Sequence, residues 1–207
     1  MTEPSAREEI MEATYDALCD RGYSELTARA IADRTTKSKS HLFYHYDSLD
    51  DLVVDFIDYL LERFDDWVET TRERPPVERL TAFTDWFLYG PGDDEQVSFH
   101  TAMLELRAQA PYNDRYRERL RDGDRRLRAV VEEILEAGIE SGQLREHDPE
   151  RTAALLIAAF DGARVRQLTT GRDAYPAQVR EAVVADLLAD LVAEGVSLDV
   201  EGSDGDA

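Results

Sequence analysis

A chain of 207 residues with 45 Asp and Glu against 24 Lys and Arg, one cysteine and 43 % apolar residues can build one or two domains with a sizeable core. Its longest uninterrupted apolar run is the eight residues Ala153 to Phe160, against about 20 for a membrane-spanning helix. The polar, acidic start from Met1 to Glu9 has neither the basic beginning nor the apolar centre of a secretory signal, and Cys19 alone cannot form an intrachain disulfide, so no membrane partner is expected and a cytoplasmic location is.

Helical periodicity dominates, and no stretch alternates long enough for a strand. The first helix is expected over about Ser5 to Arg21, with Ile10, Ala13, Thr14, Ala17 and Leu18 on one face, stopping at Gly22. Thr27 sits where an N-cap belongs and opens Ala28 to about Arg34. Thr35 to Lys37 break the pattern, Ser38 caps a short helix to about Tyr44, and Asp47 or Ser48 caps a longer one with Asp50 and Asp51 in its favourable first turn. That helix carries an apolar stripe from Leu52 to Val68 and meets Pro75; its roughly 27 residues would span about 40 Å, enough to join two lobes. Further helices are expected over about Pro76 to Tyr89, Asp93 to Gln109, Tyr112 to Glu140, Pro149 to Thr170 and Pro176 to Glu194, parted by glycines and prolines. The fold class is all-α with about nine helices, expected as a three-helix N-terminal domain over residues 1–47, a larger helical domain over 48–195 and an acidic tail over 196–207.

The helix from Pro149 is apolar nearly all round, with Leu156 and Ala159 in its centre, followed by the small residues Gly162 and Ala163. The last helix has an apolar stripe, including Val183, Leu187 and Leu191, that is too broad for one neighbour. Two readings fit: a subunit interface, or the core of a monomer.

A net charge of −21 argues against nucleic acid as a sum. Its distribution argues otherwise. Between Leu26 and Tyr46 four basic residues face one acidic residue, a local +3 that leaves −24 on the rest, and the only two lysines in the chain, Lys37 and Lys39, are both here. An acidic, lysine-poor surface fits a protein adapted to a cytoplasm of molar salt. Helix, three-residue turn and helix behind a supporting helix is the arrangement that places a second helix in the DNA major groove. A lysine beside a helix N-terminus is unfavourable by about 0.3–1 kcal/mol, a sign that an anionic partner reverses. Ser38, Ser40 and His41 add hydrogen-bonding groups at the groove-entering end, and Tyr44, His45 and Tyr46 can reach phosphates.

His41 and His45 have the spacing at which two imidazoles can share a metal, yet no third ligand beyond Asp47 is near, so no metal and no cofactor are expected. Neither a phosphate-cradling loop nor a nucleophile motif is present, and no enzyme is expected. Phe64, Trp67, Phe83, Trp86, Phe99, Met103 and Phe160 supply more aromatic and soft side-chain mass than tight Leu/Ala packing requires, with His100 among them; they would line a pocket for a lipophilic ligand or a quaternary ammonium, or serve as ordinary core.

The run Leu26-Thr27-Ala28-Arg29-Ala30-Ile31-Ala32, followed by Ser38-Lys39-Ser40-His41-Leu42-Phe43-Tyr44-His45-Tyr46, resembles the DNA-binding segment of the TetR family of repressors. The resemblance implies Thr27 and Arg29 on the backbone or a nearby base, Lys39, Ser40 and His41 at base edges, and Tyr44 and His45 on phosphates. Three positions depart from the family pattern: Lys37 replaces an apolar residue, Phe43 a frequent Tyr, and Leu49 a frequent Lys. Thr101 to Ala110 and Asp148 to Gly162 resemble the C-terminal domain of the branch that includes the choline-responsive regulator BetI. The implied protein is a homodimer paired through its last two helices, with an effector cavity among the middle ones. It would repress by holding a palindromic stretch of double-stranded DNA and release it on binding a small-molecule effector. The competing reading is an all-helical small-molecule- or partner-binding protein that no longer binds DNA.

Overall fold

The computed structural model describes residues 5–36, 38–90 and 96–196. Lys37, the start of the helix expected from Asp93, and the acidic tail beyond residue 196 lie outside the described residues. Helices account for the architecture: α1 (Ala6–Arg21), α2 (Ala28–Ala32), α3 (Lys39–His45), α4 (Leu49–Thr71), α5 (Pro76–Tyr89), α6 (Gln96–Gln109), α7 (Asp114–Glu140), α8 (Pro149–Thr170) and α9 (Tyr175–Ala182). A 3-10 turn covers Tyr23–Glu25, and α9 continues through a π-helical stretch, Val183–Leu188, into a last turn, Ala189–Leu191. Among the described residues no helix is long and apolar enough to cross a membrane.

Local chemistry sets the helix ends. Ser5 and Glu8 form a reciprocal capping box at the start of α1, and Gly22 ends it at φ 74°, a conformation that favours glycine. Thr27 accepts from the amide of Ala30, and Ser38 from that of His41. Ser48, rather than Asp47, caps α4 by accepting from the amide of Asp51 at 3.1 Å. α2 and α4 are shorter than periodicity suggests, α7 starts at Asp114 rather than near Tyr112, and the last helix ends at Leu191 rather than near Glu194. α2 stops at Ala32, where the Arg34 side chain turns back to donate to the Ala30 carbonyl at 2.8 Å. α4 stops at Thr71, because a proline at 75 has no N–H to continue the helical ladder to the Thr71 carbonyl, which accepts from the Arg74 amide instead.

The chain gathers into two compact units, residues 1–67 with 92–124 and residues 68–91 with 125–207. The division falls inside α4 and α7. Burial explains the grouping. In the first unit α6 packs on α1 and on the 3-10 turn, and Ala102, Leu106 and Tyr116 join one apolar cluster with Ile10, Leu18, Ile31, Leu42 and Phe56. In the second unit α8 packs against α5 and α9, with Leu80, Phe83, Phe87, Leu156, Phe160 and Leu188 buried.

Candidate nucleic-acid interface

α3 has seven residues and one buried side chain, Leu42 at 1 % exposure. A helix that short has little intrinsic stability and must be held by its surroundings. Polar contacts add to Leu42 in doing so. The Ser38 hydroxyl caps the N-terminus at 3.2 Å from the His41 amide. Just past the C-terminus, Tyr46 donates its hydroxyl to Asp55 of α4 at 2.6 Å, and Asp55 also receives the Arg7 guanidinium of α1 at 2.7 Å. The turn before α3 is fixed by Glu9, which accepts from the Thr35 hydroxyl at 2.7 Å and the Thr36 amide at 2.8 Å.

Burial alone would raise the Asp55 carboxyl, but the bonds from Arg7 and Tyr46 outweigh it and hold the group below its ordinary range. Burial and the same carboxylate push the Tyr46 hydroxyl well above its ordinary range, so it stays a donor at any physiological pH.

With the backbone so held, Ser38, Lys39, Ser40, Tyr44 and His45 are exposed and His41 is half-exposed. Tyr44 is 83 % exposed, an unusual position for an aromatic side chain, with its ring 5.3 Å from that of His45. The Lys39 ammonium lies 5.7 Å from the centre of the Phe43 ring. Thr27 and Arg29 are exposed on α2, and Arg29 makes only a loose contact with Asp33 at 3.9 Å. Arg34, counted in the local positive charge, is committed inward to Ala30 and Asp20 with its side chain 19 % exposed. The cationic groups that α2 and α3 present are therefore Arg29 and Lys39. His41 and His45 bring their Nε2 atoms to 3.2 Å.

The aromatic candidates fall in both units. In the second unit Phe83 and Phe160 are fully covered, joined through Phe87, with ring centres 5.9 and 5.5 Å from it. The half-buried Trp86 lies at the edge of this cluster, and Arg164 covers the Phe87 face at 4.4 Å. In the first unit Phe64 is buried and stacks on Trp67 of the same helix. On α6, Phe99 stacks on Tyr15 of α1 with centres 5.1 Å apart, His100 is buried and Met103 packs on the core cluster.

The interface candidates divide too. Leu156, Ala163 and Val183 face the interior of their own unit, so they are core of a single chain. Ala159, Gly162, Leu187 and Leu191 are only partly covered. What α8 leaves open is the neighbouring face: Leu155 at 57 %, Val165 at 42 % and the exposed Ala158, with nothing within 4 Å of where a Gly162 side chain would begin.

One contact has no counterpart in local sequence. Glu105 on α6 accepts from the amides of Tyr23 at 2.6 Å and Ser24 at 3.3 Å, capping the 3-10 turn that leads into α2. A side chain at Gly22 would begin 2.9 Å from that carboxylate, a second reason for glycine there.

Comparison with known proteins agrees with this geometry. Residues 10–55 match the family model described as bacterial regulatory proteins, tetR family, and residues 76–193 match that of the C-terminal domain of BetI-type transcriptional repressors. A TetR transcription regulator from Haloarcula marismortui is 36 % identical, with 89 % of this chain and 97 % of that one aligned and a TM-score of 0.80. The HTH-type transcriptional repressor KstR2 of Mycobacterium tuberculosis is 26 % identical over 199 residues, 93 % of this chain and 96 % of the relative. A structure from Saccharomonospora viridis in complex with choline shares the fold, at 23 % identity and a TM-score of 0.76 over 90 % of this chain and 97 % of that one. An all-helical chain whose capped, outward-facing α3 follows α2 and whose two parts match both family models is no enzyme: it belongs to the TetR family of DNA-binding transcriptional regulators.

Proposed function

We propose that this regulator is a cytoplasmic homodimer that represses by holding a palindromic operator through α2 and α3 of each copy, and that it releases the DNA when a small molecule binds its C-terminal helices. The observation that carries the DNA contact is α3 itself: one buried leucine, a serine cap and the Tyr46–Asp55 bond hold it, while Lys39, Ser40, His41, Tyr44 and His45 point away from the core. Lys39, Ser40 and His41 read base edges. Tyr44 and His45 hold phosphates together with Lys37, and Thr27 and Arg29 hold the backbone or a flanking base. The −21 charge serves solubility in molar salt, where the Debye length of about 3 Å removes most repulsion between the acidic body and DNA.

The open apolar face of α8 supports pairing with a second copy, because exposed leucine and valine beside alanine and a bare glycine suit close helix approach. Effector response is assigned to α6: Phe99, His100 and Met103 offer it a lining, and Glu105 on the same helix holds the amides of Tyr23 and Ser24 ahead of α2. A ligand that moves α6 loosens that cap. Choline is the first effector to try, since a structure of the same fold carries it and aromatic faces attract quaternary ammonium groups.

The test is a shift of DNA from upstream of the protein's own gene, in about 1 M salt, with random DNA of equal length beside it. Specific binding should exceed random by about 10³-fold or more. Equal affinity for the two would overturn the reading.

A further inference from the structure

We infer that His41 and His45 form a bidentate site for a borderline transition-metal ion of the Cu²⁺, Ni²⁺ or Zn²⁺ class on the helix that carries the DNA contacts. The two residues lie one turn apart on α3, and their ring centres are 4.8 Å from each other. Their Nε2 atoms, at 3.2 Å, face one another. With metal–imidazole bonds of about 2.0–2.1 Å, two nitrogens at that spacing subtend roughly 100° at a shared ion, between the square and tetrahedral angles that these metals adopt. Without metal the same approach lets one imidazole donate its Nε2–H to the other. Coordination replaces that shared hydrogen: the accepting ring already carries its proton on Nδ1, the donating ring gives up its Nε2 proton to water and takes one back on Nδ1, and both neutral rings then present a lone pair from Nε2.

The setting favours capture over burial. His45 is exposed and His41 half-exposed, so an ion reaches them without any opening of the fold. Among the described residues no third His, Cys, Asp or Glu completes a set, so water fills the other positions and binding is reversible. α3 is fixed on both sides by the Ser38 cap and the Tyr46–Asp55 bond, which keeps the two rings on one face.

Metal and DNA then compete for the same nitrogens. This second half rests on the DNA-binding reading: His41 cannot offer Nε2 to a base edge, nor His45 to a phosphate, while both hold an ion with its shell of water. Metal occupancy would release DNA directly at α3, independently of an effector acting through α6.

The experiment uses full-length, tag-free protein and Cu²⁺ alone as probe. Electron paramagnetic resonance should show one equivalent of Cu²⁺ with hyperfine splitting from two imidazole nitrogens, and His41→Ala and His45→Ala should each weaken binding by on the order of tenfold or more, as expected for removal of a direct ligand. Circular dichroism checks that both variants stay helical, and His41→Asn serves where alanine disturbs α3. If both variants bind Cu²⁺ with the wild-type spectrum and affinity, the site is overturned. In the DNA-shift assay, saturating Cu²⁺ should abolish the wild-type shift, a chelator should restore it, and whatever shift His45→Gln retains should be indifferent to Cu²⁺. A wild-type shift that survives full Cu²⁺ occupancy overturns the competition. Absence of any shift without metal overturns the DNA-binding reading instead, and leaves the spectroscopic test of the site intact.

Discussion

The segment from Leu26 to Tyr46 and helix α8 are nearly equal in length and are built in opposite ways. The first buries Leu26, Ala30, Ile31 and Leu42 and fixes the rest with polar bonds reaching in from α1 and α4, leaving hydroxyls, imidazoles and a lysine outside. The second buries Ala153, Leu156, Ile157, Phe160 and Ala163 along one stripe and still shows Leu155, Ala158 and Val165 on another. One segment carries more hydrogen-bonding groups than its own chain satisfies, and the other more apolar surface than its own chain covers. Each surplus has the chemistry of the partner proposed for it: an anionic, groove-bearing duplex for the first, a second copy of the chain for the second.

The sharpest way to break that comparison is to put charge on the open face of α8. Leu155→Glu with Val165→Glu places four like charges in the proposed dimer, since each copy carries both, while neither side chain is needed by the core of a single chain. Sizing in about 1 M salt should show monomers with unchanged helical signal, and operator affinity should fall by roughly 10²–10⁴ as two linked half-site contacts become one. A variant that stays dimeric removes the α8 assignment. Leu187 and Leu191 make poorer test positions, because both are partly covered within their own unit.

The buried stripe should answer by stability alone. Phe160→Ala empties a fully covered site against Phe87 and should cost about 3–5 kcal/mol in urea unfolding. In the polar segment the corresponding anchor is Asp55, and Asp55→Asn should cost about 2 kcal/mol through the weakened bonds from Arg7 and Tyr46. The two differ in acid. The Asp55 carboxyl is held below its ordinary value in the folded chain, so its contribution is complete above about pH 4 and is lost as pH falls through the lower folded value. Wild type should lose stability on acidification more steeply than Asp55→Asn. Parallel curves would mean that Arg7 and Tyr46 do not need the charge.

What could be read in the sequence follows the same contrast. Thr27, Ser38 and Gly22 were legible because a cap acts on amides or carbonyls within a few residues. The bonds of Glu9 to Thr35 and Thr36, Tyr46 to Asp55, and Glu105 to Tyr23 were not: the two from Glu9 and Glu105 join residues 26 and 82 positions apart, and nothing local marks a carboxylate as a distant cap. In α8 the difficulty is different. A helix apolar on two faces has no periodicity to say which face is core, so its sequence does not separate Leu156 and Ala163, which lie inside, from Leu155 and Val165, which stand open. Val183 is likewise buried, at the point where α9 passes into the π-helical stretch.

The smallest effect tests whether Lys39 belongs to the unsatisfied surplus or is already used. Its ammonium rests over the Phe43 ring, an attraction of under about 1 kcal/mol at an exposed site, weak enough for a base edge or a phosphate to replace. The two destinations leave different traces. A lysine on phosphate releases a counterion, so removing it should flatten the plot of log affinity against log salt by about 0.9, uniformly over all sequences. A lysine on a base edge should change sequence preference, with a smaller change of slope. Lys39 is the first residue of α3, one step inside the Ser38 cap, at the end that enters the groove. Lys39→Gln should therefore alter preference at one base pair by roughly 1–3 kcal/mol, within the discrimination one direct contact supplies, and shift the slope by less than Lys37→Gln does. If Lys39→Gln leaves preference and slope both unchanged, the lysine is held by Phe43 in the complex as in the free protein, and His41 and Ser40 carry the base reading without it.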